Sequence, residues 1–243
     1  ESDPSYSSKF KFYCYHGVGH GVMMAMAYDL PKALTTCDSL STSVGADGCW
    51  QGVFMENVNA GMKGEARKGV FQKENPMAPC SVVAEKYRHE CFINHAGWLM
   101  GIFHNDVKSA AASCLKAPKG SISVCLQSIG LMVTNPSWQT SLAPGSEGKP
   151  FDETAWKLCR QFPSSYQEDC MMGAIDNILN FDELDLTRVS RFCGGADETL
   201  KTICYQRIGM DLRAQVTDPA AVVQKCKTFK GAFSKACLAG AGL

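Results

Sequence analysis

The sequence predicts an all-α protein: disulfide-clasped helical-hairpin repeats, αα-solenoid-like, in three units of about 78 residues (about 14–90, 91–169 and 170–243) forming a single helical-repeat domain over 1–243. Three observations predict it. Neighbouring cysteines recur 11 or 12 residues apart, whole segments repeat at 76–79 residues, and apolar side chains recur at three- and four-residue spacing.

The cysteine spacing dictates corners. In one straight helix 11 residues rise about 16 Å, whereas a disulfide needs its Cα atoms within roughly 7 Å. The chain therefore folds back within each of six pairs: Cys37/Cys49, Cys80/Cys91, Cys114/Cys125, Cys159/Cys170, Cys193/Cys204 and Cys226/Cys237. Turn and helix-stop residues lie between them, as in Gly45-Ala46-Asp47-Gly48, Ala117-Pro118-Lys119-Gly120, Phe162-Pro163-Ser164-Ser165 and Gly194-Gly195. Cys14 is the odd thiol, because a partner at the same spacing falls near Asp3. A pairing of Cys14 with Cys37 is the alternative, and it implies a different architecture.

In chain order, segments 14–37, 91–114 and 170–193 align without a gap. Asp29, Asp106 and Asp185 coincide in them and read as helix N-caps, with Pro31 in the first helical turn of the first copy. The second half of each unit opens alike, with Cys49-Trp50-Gln51, Cys125-Leu126-Gln127 and Cys204-Tyr205-Gln206, the glutamines bonding between helices. Met171, Ile175, Ile178 and Leu179 predict a helix over 170–180; Leu200, Ile203, Ile208 and Leu212 predict another over 199–214. Loops are expected at Lys63–Pro79 and Asn135–Pro150, the latter a candidate boundary or partner-contacting excursion. Cys237 opens what would be a fourth unit, so the chain reads as a window cut from a repeat array.

Composition narrows the function. The 24 basic and 24 acidic side chains cancel, which disfavours a nucleic-acid or anionic-membrane surface. The longest apolar run, Val22 to Tyr28, predicts no transmembrane segment. Thirteen cysteines without a Cys-x-x-Cys point to a disulfide framework in an oxidising extracytoplasmic compartment, be it secreted, periplasmic or organellar. A first residue of Glu1 rather than Met fits a chain whose targeting segment has been removed.

Histidine is the residue the copies do not share. His16 aligns with Ile93 and Met172, His20 with Gly97 and Asp176, and Glu56 with Met132 and Asp211. Within Cys14-Tyr15-His16-Gly17-Val18-Gly19-His20-Gly21 the two histidines are four apart and share one helical face, as metal ligands do. Gly17 stands where a zinc hydrolase carries its general base, so that motif fails. Glu56 and His95, or His104, are the further candidate ligands for one Zn, Cu or Fe ion. The competing reading makes His16 and His20 buried hydrogen-bonding residues where glycines let helices approach. Cys14 with His16 as a nucleophile pair, and methionines 23, 24, 26, 171 and 172 as copper(I) ligands, are weaker readings than an orphan thiol and a helical core. No Walker loop, dinucleotide fingerprint or Gly-x-Ser-x-Gly elbow occurs, and Pro136 blocks the sequon at Asn135.

Clasped αα-hairpin repeats of this kind resemble, in architecture, the secreted cysteine-rich relatives of tetratricopeptide-type proteins. Those have shorter repeats and other cysteine spacings, and their signature residues are not found here, so no functional residue carries over. The expected function is a non-enzymatic scaffold, or a subunit of a larger assembly, that binds a protein partner. The alternative is a metal-binding protein or metalloenzyme using the histidines of the first unit.

Overall fold

Two backbone features repeat where the sequence repeats. A helix ends at Ala25, Ile102 and Phe181, equivalent positions of the three aligned segments. Each end is followed by left-handed residues, Ala27 and Tyr28 (φ 49° and 58°), His104 and Asn105 (51° and 64°), and Leu184 (65°). Non-glycine residues adopt this conformation at a cost of roughly 1 kcal/mol each. The chain turns there, and in the first two copies the next helix begins on a capping aspartate. Asp29 accepts from the Lys32 amide at 3.2 Å. Asp106 accepts from the Lys108 amide and the Ser109 hydroxyl. Asp185 lies outside the described residues.

The computed structural model describes residues 8–135, 138, 152–181, 184 and 186–243, so the 135–150 loop falls largely outside it. The helices are α1 (Ser8–Ala25), α2 (Leu30–Cys37), α3 (Ser43–Lys63), α4 (Glu85–Ile93), α5 (Ala96–Ile102), α6 (Val107–Cys114), α7 (Ile122–Thr134), α8 (Asp152–Cys159), α9 (Gln167–Phe181), α10 (Leu186–Gly194), α11 (Glu198–Gln215), α12 (Pro219–Lys227) and α13 (Ala232–Gly240). Among the described residues there is no strand, and no helix is long and apolar enough to cross a membrane. The second copy of the first repeat helix is broken into α4 and α5. At the break the Asn94 side chain donates to the Glu90 carbonyl at 2.8 Å and competes with the helical ladder.

All six clasps close, pairing Cys37–Cys49, Cys80–Cys91, Cys114–Cys125, Cys159–Cys170, Cys193–Cys204 and Cys226–Cys237 with Cα atoms 5.3–5.7 Å apart. In five of them a short helix runs up to the first cysteine, and the second sits in the next helix; Cys80 instead lies within the non-helical stretch 64–84. Closing such a loop stabilises the fold by about 3 kcal/mol in the chain-entropy model. Cys14 is unpaired and exposed.

Contacts divide the chain into two compact units, one of residues 1–104 with 113–125, the other of 105–112 with 126–243. In the first, Met23, Leu34, Phe54, Phe92 and Leu99 are buried; in the second, Leu126, Trp156, Met171, Ile175 and Phe192 are. Met24, by contrast, is 53% exposed, so the methionines of α1 do not share one environment.

Glycine sets the closest helix crossings. A Cβ on Gly19 of α1 would strike the Cys49 carbonyl of α3, and one on Gly52 would strike the His16 carbonyl. The second unit repeats the arrangement twice: Gly130 of α7 against Cys170 and Gly173 of α9 against Gln127, then Gly209 of α11 against Cys237 and Gly240 of α13 against Gln206. Each crossing is a reciprocal pair, in which a glycine on either helix receives the carbonyl of the residue three before the other's glycine.

Candidate functional site

The α1–α3 crossing fixes the histidines. With Gly19 pressed on Gly52, the face of α1 carrying His16 and His20 lies along the face of α3 carrying Glu56. His20 Nδ1 is 2.9 Å from Glu56 Oε2, and the Tyr28 hydroxyl donates to Glu56 Oε1 at 3.2 Å. An ionised carboxylate only accepts, so His20 carries its proton on Nδ1 and leaves Nε2 with a lone pair. The His16 Nε2 atom lies 3.2 Å from that lone pair. In the neutral pair His16 therefore donates from Nε2, and its Nδ1 is a bare, buried acceptor with no hydrogen-bond partner. Burial, and secondarily the His20 ring, hold His16 below the ordinary imidazole range; Gln51 and Glu90 oppose them.

The sequence thus picked out residues that meet, but Glu56 takes a different part. It holds the far side of the His20 ring rather than joining the two Nε2 atoms. His95 is placed elsewhere. Its ring is fully buried between Phe71 and Phe92, and Nε2 donates to the Pro76 carbonyl at 2.7 Å. Burial pushes it down to about 4. His104 is exposed in the left-handed turn after α5. Among the described residues no three His, Cys, Asp or Glu side chains are grouped to hold a metal ion. Of the four candidate ligands His16, His20, Glu56 and His95, the structure brings the first three together and sets His95 apart: both Glu56 oxygens are engaged by His20 and Tyr28, and His95 Nε2 by the Pro76 carbonyl.

A further polar cluster, which no sequence motif marks, occupies the equivalent place in the second unit. Asp176 and Asp211, the counterparts of His20 and Glu56, flank Arg207. Its Nη2 donates to both Asp176 oxygens at 2.8 and 3.1 Å, and its Nε to Asp211 at 3.2 Å. Burial first, then the Asp176 carboxylate, push the Asp211 carboxyl up to about 8 against the pull of Arg207. The signal was the alignment itself, which set one polar pair over another. Of the aligned glutamines, Gln127 reaches Asp169 at 3.5 Å, while Gln206 contributes its backbone carbonyl to a crossing.

The other feature is a cleft of about 430 Å³ in the first unit. It is lined by Leu30 and Leu34 of α2, by Val70, Pro79 and Val83 of the non-helical stretch, and by Tyr87 of α4. The polar side chains on its lining are those of Thr35, Gln72, Asn75 and Tyr87. Tyr87 is fixed by donating to Asp38 at 2.7 Å and by packing edge-on against Trp50. Val82, also on the lining, is 73% exposed.

Fold and sites together define a disulfide-clasped helical-repeat protein with a histidine pair and an apolar cleft in its first unit. Comparison with protein-family models, curated proteins and solved structures finds no match.

Proposed function

We propose that this chain is a non-enzymatic binding module, a scaffold or subunit of a larger assembly in an extracytoplasmic oxidising compartment, whose first unit receives an apolar stretch of a protein partner. The observation that carries the reading is the cleft between α2 and the 69–84 stretch, open to solvent yet lined mainly by aliphatic side chains. Pockets of this size and lining bind apolar groups and use a few polar atoms for orientation. The six clasps support the compartment, since such bridges persist where thiols are oxidised. The balanced charge supports a protein partner over nucleic acid.

The experiment is photo-crosslinking from position 82 in the native compartment, followed by affinity measurements with the purified partner. Val83→Asp places a carboxylate in the cleft wall and is expected to weaken binding at least tenfold, about 1.4 kcal/mol or more, with helicity unchanged. A partner that binds the variant as tightly, or a chain that forms no crosslink and stays monomeric, overturns the reading.

A further inference from the structure

We infer that His16 and His20 form a binding site for a divalent transition-metal ion of the zinc–copper class, with Glu56 as the positioning residue. The inference stands apart from the cleft. The two Nε2 atoms face each other 3.2 Å apart across one helical turn. A metal bound at the usual zinc–imidazole distance of roughly 2.0–2.1 Å from each would subtend an angle of about 100°, near tetrahedral.

The surroundings prepare the pair for this. The Glu56 carboxylate accepts from His20 Nδ1, which turns the Nε2 lone pair outward, and its other oxygen is held by Tyr28. That is the carboxylate–histidine arrangement by which ligand rings are oriented and made more basic. His16 needs only a change of tautomer: the proton leaves Nε2 and Nδ1, which has no hydrogen-bond partner, takes one up. The ring stays neutral, so no net proton is released. Both side chains are half-buried and reachable by an ion from solvent. Imidazole donors suit zinc and copper. Two protein donors leave two tetrahedral positions for water or an incoming donor.

The test is calorimetric titration of the whole, chelator-stripped chain with ZnCl₂. One saturable equivalent is expected, weakened at least tenfold by His16→Ala or His20→Ala and unchanged by His89→Ala, which alters an exposed histidine paired with Glu90. Glu56→Gln is expected to weaken it 10- to 100-fold. Ring-nitrogen NMR of that variant should also show His20 losing its preference for Nδ1–H, a change that mere loosening of the helix pair would not produce. Absence of a saturable equivalent, or binding indifferent to both histidines, overturns the inference. Should an alanine variant fail to fold, NMR of the unaltered chain decides: zinc must shift Nε2 of His16 and His20, and shifts confined to His89 and His104 overturn it.

Discussion

Full burial with a single hydrogen bond, from Nε2 to the Pro76 carbonyl, leaves a second proton on His95 Nδ1 with no acceptor and the charged ring without solvent. Its pKa falls to about 4, so the unfolded chain binds a proton from about pH 6.5 downward while the folded one resists. Stability from this group is complete above pH 6.5 and is lost as pH falls from there towards 4. Denaturant titrations at pH 7.5 and 5 should show a loss of about 2 kcal/mol in the parent that His95→Phe does not show. Phenylalanine forgoes the bond to Pro76 at both pH values, so the difference between the two pH values is the readout. At this scale the sequence revealed that His16, His20 and Glu56 could meet, because helical spacing fixes faces. It could not reveal which ring nitrogen Glu56 would engage, nor that His95 would be enclosed by Phe71 and Phe92, because both depend on packing between segments distant in sequence.

At the scale of the element, the corners were legible because bond reach and helical rise exclude any straight path between cysteines 11 apart. The glycines of α1 were not, since three of them alternate and only the crossing tells them apart. Gly19 lies on α3, whereas a Cβ on Gly17 or Gly21 meets nothing within 4 Å. Gly17→Ala should therefore stabilise by about 1 kcal/mol through helix propensity alone. Gly19→Ala should destabilise by about 3 kcal/mol, because the atom it must displace is backbone. Guanidinium unfolding of the two variants checks both signs, and equal effects would remove the crossing as the reason for Gly19. The break between α4 and α5 also escaped the periodicity, which carries no record of a side chain bonding back to its own helix.

For the molecule as a whole, the threefold period was readable because Asp, Cys and Gln recur at fixed offsets. The division into two units with boundaries near 104, 113 and 125 was not, since a period says nothing of where contacts thin out. Six clasps worth about 3 kcal/mol each sum to more than the 5–15 kcal/mol net stability of an ordinary domain. Complete reduction at neutral pH should therefore cost most of the far-UV helical signal at room temperature, while the oxidised chain keeps it; a reduced chain of undiminished helicity would show that the cores suffice alone. The clasps also have a mechanical meaning. A chain pulled from its ends can give up every helix and still not extend the 11 or 12 residues inside a covalent loop. Each loop keeps back about 30 Å of contour length and the six together roughly 190 Å. The reach of the chain as a tether is thus set by the redox potential around it rather than by the force upon it.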